Sequence, residues 1–432
     1  MAVSYWVTIF AAMAGNVQKG RQIFYNLTIL EHRCVFKRFY QRFLDGSPGR
    51  LHFAAHSHHY WPDVTRAAAL TYWDDCAKYV DNKWEHIWGE IIPRARGHVA
   101  RLLGVSEAKQ VVFAPNTHEF VVRLFSCFEL GRPIRVLSTD SEFHSFRRQA
   151  QRLEEAGEIE LTRVPVEPIA DFSSRFVSEA RRGDYDFVFF SMVFYNSGFV
   201  VADLPELVQR LPQRPVVAVD GYHAFCALPL DLRAIDGRVF YLAGGYKYAQ
   251  SGEGACFMYV PTGCDLRPRN TGWFASFGEL ERVQSSSVYY SDDGMRFAGA
   301  TFDPSAIYRF NAVMDLFERE GITIAMIHEH VTRLQEHFIK ELKAAGHPLL
   351  CMDRLLYQPG APHGHFLTFV LPSAEHTARV AKRLAEANIT VDFRDNRLRF
   401  GFGLYQDEDD ITALFRRLAE LRDDERGLGG GG

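Results

Sequence analysis

The stretch that decides the fold is Val216 to Pro261, which reads VVAVDGYHAFCALPLDLRAIDGRVFYLAGGYKYAQSGEGACFMYVP. It contains two short apolar runs, each typical of a buried strand. Asp220 ends the first run, and His223 follows three residues later. The second run ends in a glycine pair followed by Tyr246-Lys247-Tyr248. We therefore expect a carboxylate and a lysine to share one crevice at the ends of neighbouring strands.

This pairing indicates a particular kind of cofactor. Its ring nitrogen would need a carboxylate such as Asp220, and its aldehyde would need an amine such as Lys247 to form an imine. Pyridoxal phosphate (PLP) is such a cofactor.

The composition is that of an ordinary globular protein. The chain has 432 residues, of which 47% are hydrophobic and 24% charged, enough for a large core and more than one domain. The formal net charge of -4 gives no sign of a surface for nucleic acid. The seven cysteines are scattered and form no CxxC pair. That pattern argues against a disulfide framework and a zinc site, and it fits a reducing compartment.

The two ends of the chain carry few signals. The apolar run at 5–14 is too short to span a bilayer and has no basic residue before it, so we expect a cytoplasmic protein without a membrane partner. Residues 1–50 are predicted to form an N-terminal arm, in which 34–43 suits an amphipathic helix. The glycine-rich end, 426–432, is predicted to be disordered.

Short apolar runs alternate with helical patterns through the first two thirds of the chain. The runs lie at 111–114, 134–137, 187–193, 216–219 and 239–243. This alternation predicts βαβ units and a mainly parallel sheet. The later patterns predict a smaller C-terminal α+β domain, with the large domain at 51–309 and the small domain at 310–425.

Polar residues follow nearly every predicted strand. Because ligands of parallel sheets bind beyond the carboxyl ends of the strands, these residues are expected to share one site. They are Thr117, His118, Ser191, Asp220, His223, Tyr246 and Lys247, and the aromatic Phe143 is expected to join them. Thr117 and His118 open a helix, where backbone N–H groups can bind a phosphate. Asn116 and Thr117 could equally well serve only as a helix cap. Helix capping and phosphate binding therefore both stay open as interpretations.

Three histidines, His56, His58 and His59, lie close together in the sequence. In an extended segment only His56 and His58 share a face, and no cysteine or acidic partner is near, so no metal site is predicted. We prefer the interpretation that these imidazoles line a substrate entrance.

The motif AVDGYH, followed by GGYKY and a glycine-rich strand start, resembles the fold-type I PLP enzymes of the class V aminotransferase superfamily. The kynureninase branch is the most similar. The resemblance covers residues 51–405 and includes Gly272-Trp273, the segment Phe297 to Thr301, and Val391-Asp392-Phe393-Arg394 before Arg399. It implies a large domain with a mainly parallel, seven-stranded sheet.

The resemblance also implies a role for each site residue. Lys247 would hold PLP through an imine and move protons. Asp220 would pair with the protonated ring nitrogen, and His223 would hydrogen-bond the ring near its 3-oxygen. Arg399 would form a bidentate pair with the substrate α-carboxylate.

The remaining roles concern the rest of the cofactor and a second subunit. Phe143 would stack on the ring, Ser191 would lie near it, and Thr117, the His118 backbone and Tyr246 would hold the phosphate. Trp273 and Thr301 would complete the site of the neighbouring subunit in a homodimer.

The predicted function is that of a PLP-dependent enzyme acting on an α-amino acid, with kynureninase-like hydrolytic cleavage of the Cβ–Cγ bond favoured. The alternatives are a class V aminotransferase or a C–S lyase of secondary metabolism, and a catalytically silent binding homologue. Cysteine desulfurases place a nucleophilic cysteine shortly before the arginine, but 391–398 contains none, so persulfide chemistry is disfavoured. The segment His56–His59 differs from the Asn-Ser-Leu-Gly turn of kynureninases, and the substrate itself is not predicted.

Overall fold

The computed structural model describes residues 36–279, 287–357 and 360–428. Most of the predicted N-terminal arm, including the start of the amphipathic helix at 34–43, lies outside these residues. The last helix runs to Leu428, into the segment predicted to be disordered, and 429–432 lie outside the described chain.

Thirteen strands occur in the described residues and form three sheets. They are β1 (Leu51–His52), β2 (Val111–Ala114), β3 (Ile134–Thr139), β4 (Ile159–Val164), β5 (Phe187–Ser191), β6 (Val216–Asp220), β7 (Val239–Gly244), β8 (Cys256–Tyr259), β9 (Leu355–Leu356), β10 (Phe366–Val370), β11 (Ile389–Thr390), β12 (Asp392–Arg394) and β13 (Arg397–Gly401).

The described chain also contains twelve α-helices. They are α1 (Gln41–Asp45), α2 (Val64–Tyr79), α3 (Lys83–His86), α4 (Ile92–Leu103), α5 (Thr117–Phe125), α6 (His144–Glu155), α7 (Phe172–Arg182), α8 (Leu204–Arg210), α9 (Ser305–Arg319), α10 (Ile324–Ala345), α11 (Ala374–Glu386) and α12 (Glu408–Leu428). None of these helices has the length and apolar character needed to cross a membrane.

The central sheet has seven strands in the order β2-β8-β7-β6-β5-β3-β4. The neighbours β4–β3, β3–β5, β5–β6 and β6–β7 are parallel, whereas β8 runs antiparallel to both β2 and β7. The predicted mainly parallel, seven-stranded sheet is confirmed.

Helices cover both faces of this sheet, which explains the continuous apolar runs. On β5, Phe187 and Phe189 pack in the cluster that contains the apolar residues of α5 and α6. Val188 and Phe190 point the other way, into the cluster of α4, α7 and α9. Every residue of β5 and β7 is therefore buried.

Pro93 lies within the helical sequence pattern of residues 84–103. A π-helical turn, Ile87–Ile91, precedes α4, and Pro93 occupies the first turn of that helix. The backbone stays helical from the π-helical turn into α4, and this turn accommodates the ring and the missing N–H of Pro93.

The small domain is built on the antiparallel sheet β12-β13-β10-β9, with α10, α11 and α12 packed against it. The strand β1 pairs in parallel with β11, Leu51 opposite Ile389. Leu51 and Phe53 accordingly belong to the apolar cluster of the small domain, although they lie at the start of the predicted large domain. The segment 50–60 therefore connects the two predicted units.

Candidate active site

A cavity of about 320 Å³ opens at the carboxyl ends of the parallel strands. Its walls bring together seven of the predicted site residues: Thr117, Phe143, Ser191, Asp220, His223, Tyr246 and Lys247. They end or follow five strands of the sheet, β2, β3, β5, β6 and β7, so the topology carries them to one edge.

Lys247 lies at the bottom of this cavity and is 4% exposed. Its Nζ lies 2.9 Å from His223 Nε2 and 5.0 Å from the ring centre of Phe143. Burial lowers the pKa of Lys247 from 10.5 to about 7, while Asp220 opposes that shift. A buried amine of this kind is neutral in a large fraction of molecules near pH 7, which is the form that attacks an aldehyde.

Asp220 ends β6 on the same side of the cavity. Its Oδ1 accepts a hydrogen bond from the Tyr222 backbone N–H at 2.9 Å. Burial raises the pKa of Asp220, and this bond together with the Lys247 amine counteracts the effect. Within the described chain no hydrogen bond reaches Oδ2, so this oxygen can accept a ligand N–H group.

His223 connects the lysine to the segment that follows β1. Its Nε2, 2.9 Å from Lys247 Nζ, also lies 3.2 Å from the backbone oxygen of His56. Burial, with the nearby cations Lys247 and Arg399, keeps the pKa of His223 well below 6.5, so the ring is neutral. With a proton on Nε2 the ring donates to the carbonyl, and without it the ring accepts from the amine.

The opposite end of the cavity lies at the amino end of α5. Asn116 caps this helix, since its side chain accepts a hydrogen bond from the Glu119 N–H at 3.2 Å. Thr117 is thereby left on the cavity wall, next to the first N–H groups of the helix. The His118 side chain is exposed, so only its backbone could contribute to the site.

Arg399 is buried in β13 and does not line the cavity itself. Its Nη1 donates to the backbone oxygen of Tyr195, a residue of the cavity wall, and its Nη2 donates to Asp392 Oδ2. Burial lowers the pKa of Arg399, and Asp392 opposes this. The guanidinium group is close enough to the cavity to contribute to the low pKa of Lys247.

Trp273 and Thr301 do not reach the cavity of their own chain. Thr301 lines a separate cavity of about 340 Å³, together with Gly272 and Phe274. Trp273 is 46% exposed and packs against Phe274. Their predicted contribution to the site of a neighbouring subunit stays a prediction.

None of the three clustered histidines lines the cavity around Lys247. His56 is buried, stacks on Phe366 at 4.6 Å, and has its Nε2 3.7 Å from Asp392 Oδ2. His59 is also buried, with its Nδ1 2.6 Å from the Tyr60 backbone oxygen, while His58 is exposed. His56 and His59 therefore pack in the interior, whereas the ring of the exposed His58 lies 6.0 Å from that of Tyr246, a residue of the cavity wall. A role of this segment at the substrate entrance stays a prediction.

Several residues in or beside the site were not predicted, among them Glu142, Tyr195, Tyr222 and Asp392. Tyr222 lies between two predicted residues, and Glu142 precedes the predicted Phe143, so their positions could have been found from the strand-end rule. Asp392 stands opposite Arg399 in the register of β12 and β13. Tyr195 gave no signal beyond its place after β5.

The arrangement fits the cofactor that the sequence implies. Asp220 offers a carboxylate oxygen for a ring nitrogen, and Lys247 offers an amine for an aldehyde. Phe143 offers an aromatic face beside that amine, and the start of α5 offers N–H groups for a phosphate. The cavity volume is also within the usual range for a small ligand.

Comparison with protein families identifies one match. The model of the family described as aminotransferase class-V matches residues 62–414. No curated protein sequence matches the chain.

Several solved structures are similar at low sequence identity. A C-DES mutant with glycine covalently linked to the PLP cofactor is 20% identical, with a TM-score of 0.74 over 87% of this chain and 98% of that chain. A complex of the cystine C–S lyase C-DES with cysteine persulfide is 19% identical, with a TM-score of 0.72 over 87% and 99%. The apo cysteine desulfurase from Thermococcus onnurineus NA1 is 17% identical, with a TM-score of 0.69 over 86% and 94%. The predicted α/β fold is thereby confirmed.

Proposed function

The chain belongs to the class-V aminotransferase family and is a PLP-dependent enzyme, and from this premise we propose that it hydrolyses the Cβ–Cγ bond of an α-amino acid. The observation that supports the proposal is the group of Lys247, His223 and Asp220 at one edge of the sheet. It provides a neutral amine, a second proton-transfer group in contact with it, and a carboxylate.

The residues of the cavity would bind the cofactor at three points. Lys247 would hold its aldehyde carbon, Asp220 its ring nitrogen, and Thr117 with the first turn of α5 its phosphate. Bound PLP supplies a conjugated electron sink for the electron pair left when a bond to Cα is broken.

The chain's own residues would then orient the substrate and move protons. Arg399 would bind the α-carboxylate, which places Cα above the cavity floor. Lys247 would remove the Cα proton, since its lowered pKa makes it a base at neutral pH. His223, 2.9 Å from the amine, could take that proton or return it. A water molecule would supply the oxygen of the acid product, and its proton would end on the alanine product.

A second candidate function is elimination at a C–S bond. It is favoured by the structural likeness to the cystine C–S lyase C-DES. A persulfide relay on Cys256 is not supported, because this thiol, 3.5 Å from Thr117 Oγ1 of the cavity wall, is buried and donates to the Ala243 oxygen. Burial raises the pKa of Cys256 to about 12, so it would not be a nucleophile.

The test begins with PLP-loaded wild-type protein and Lys247→Ala. Borohydride reduction should fix the cofactor on the wild-type chain at Lys247 and leave the variant unlabelled. A wild-type protein without visible absorbance, and without label, would contradict the role of Lys247 and favour a silent homologue.

The substrate screen then separates the two reactions. Kynurenine should give anthranilate and alanine if the enzyme cleaves Cβ–Cγ bonds. Cystine or a cysteine conjugate would instead give pyruvate and ammonia from a C–S lyase, and an amino acid with a keto acid would give a new amino acid from an aminotransferase. Product from the second or third mixture alone would replace the first proposal.

A further inference from the structure

Glu142 is a buried acid that none of the roles above uses, and it is bonded to Ser191 of the cavity wall. It lies in the turn between β3 and α6 and is 1% exposed. Its Oε1 accepts from Thr139 Oγ1 at 2.6 Å and from the Ser191 backbone N–H at 3.2 Å. Its Oε2 accepts from Ser191 Oγ at 2.6 Å. Two hydrogen bonds therefore tie this turn to the end of β5, and the third ties it to the end of β3.

These bonds connect two residues that face the cofactor. Glu142 directly precedes Phe143, which lies beside the Lys247 amine. Its partner Ser191 pairs in register with Asp220, and the Met192 N–H donates to the Asp220 backbone oxygen at 2.9 Å. A change at Glu142 would consequently be transmitted both to the stacking ring and to the carboxylate predicted to bind the ring nitrogen.

The charge of Glu142 contributes less to this arrangement than its hydrogen bonds. In the described residues no lysine, arginine or histidine pairs with Glu142, so an ionised carboxylate there would be costly. Burial raises the pKa of Glu142 to about 8, and its interaction with Asp220 acts in the same direction. Around pH 7 the group is therefore largely a neutral acid, which the hydroxyls of Thr139 and Ser191 can still satisfy.

We propose that Glu142 is the positioning residue of the cofactor site, whose hydrogen bonds hold Ser191 and thereby align Asp220 with the ring nitrogen. This inference rests on the proposed placement of PLP in the cavity. It makes the neutral isostere Glu142→Gln a functional replacement, because an amide offers one acceptor and two donors to the same partners. Glu142→Ala instead leaves the Ser191 N–H without its acceptor.

The matched control is Asp186, a buried acid that directly precedes β5, at the end of this strand away from Ser191. Its carboxylate pairs with Arg132 at 2.7 Å and accepts from the Arg135 N–H at 3.0 Å. Asp186→Ala should therefore destabilise the apo-protein while leaving the carboxyl end of β5 in place. It separates a general loss of stability from a local loss of alignment.

The experiment measures PLP affinity and the ¹⁵N chemical shift of the bound ring nitrogen, with full-length wild type and the three variants. Glu142→Gln should stay within about twofold of wild type in affinity and keep its signal. Glu142→Ala should bind PLP about tenfold more weakly, equivalent to the charged hydrogen bond between Asp220 and the ring nitrogen. Its signal should move towards that of the unprotonated ring. Asp186→Ala should keep the wild-type signal.

Three outcomes would overturn the inference. Glu142→Ala with unchanged affinity and signal would show that the bonds are not needed, and Glu142→Gln as impaired as Glu142→Ala would show that charge matters instead. Wild type without a signal from PLP bound at Lys247 would remove the proposed function and this inference together. If Glu142→Ala does not fold, Ser191→Ala removes one of the three bonds, and an unchanged signal there counts against the proposal.

Discussion

Arg399 and Asp392 face each other across the antiparallel strands β12 and β13, and Arg399 Nη2 donates a hydrogen bond to Asp392 Oδ2 at 2.5 Å. A second bond, from Nη1 to the Tyr195 oxygen, holds the guanidinium group from the other side. Nε is buried and has no hydrogen-bond partner in the described part of the chain. The group is thus held rigidly and retains donor capacity for an anionic ligand.

The first prediction concerns this guanidinium group. Arg399→Lys should raise KM for the α-amino acid by about 10- to 100-fold with a smaller effect on kcat, because an ammonium group cannot replace a bidentate, pre-oriented donor. Steady-state kinetics with the substrate found in the screen would measure this.

Arg394→Lys is the control for that substitution. Arg394 also donates to Asp392, at 3.2 Å, but its side chain is exposed at the other end of β12. KM should change by less than about twofold, as is usual for an exposed ion pair. Equal effects of the two substitutions would contradict the role of Arg399.

The second prediction concerns the cost of burying Lys247. Its pKa is 10.5 ordinarily and about 7 in the folded apo-protein, so the unfolded chain binds more protons between these values. Stability therefore rises with pH through that window, and the penalty is complete below pH 7. Apo Lys247→Met should be more stable than the wild type by on the order of 4 kcal/mol at pH 7, with the difference vanishing towards pH 10.5.

Urea unfolding of the apo-proteins between pH 6 and pH 10.5 checks this. Lys382→Met, which removes a largely exposed amine on α11, is the control protein. A stability difference for Lys247→Met that stays constant over the whole range would show that Lys247 titrates normally in the fold.

The third prediction concerns Glu142, whose contribution to stability changes with pH in the opposite direction to that of Lys247. The pKa of Glu142 is raised from 4.5 to about 8 in the folded chain, so here the folded state binds more protons between these values. The wild type therefore loses stability as pH rises through that window, and Glu142→Gln does not. The variant should gain on the order of 4 kcal/mol relative to wild type between pH 4.5 and pH 8. The same difference in unfolding free energy between the two proteins at both pH values would rule out the raised pKa of Glu142.

The strands in the middle of the sheet could be predicted from the sequence alone. Because both faces of β5 and β7 are covered, their residues are apolar without interruption and easy to recognise. The strand β4 was missed because it lies at the sheet edge, where Glu160 and Arg163 are exposed. Its pattern has no continuous apolar run.

Contacts between distant segments of the chain were beyond prediction. The pair Asp392–Arg399 depends on the register of two strands around a short turn, and a shift of one residue would separate them. Glu142 and Ser191 are 49 positions apart, and only the pairing of β3 with β5 in the sheet brings them together. The residues that line the cavity were predictable because the strand-end rule needs no register.

The fourth prediction tests the homodimer and the place of Trp273 and Thr301 in it. If these residues complete the partner's site, the double variant Trp273→Ala/Thr301→Ala and the variant Lys247→Ala should each be inactive alone. A mixed dimer of the two has one intact site, built from the Lys247 of one chain and the Trp273 of the other. Random mixing should then restore about a quarter of the wild-type activity.

The control mixture uses two variants that damage the same wall of the same site. Lys247→Ala mixed with Asp220→Asn should stay inactive, because both sites of every mixed dimer keep a defect when Lys247 and Asp220 act from one chain. Activity would be measured after unfolding and refolding the variants together, with dimer formation followed by light scattering. Restoration in the control, or none in the first mixture despite dimer formation, would show that Trp273 and Thr301 do not serve the neighbouring site.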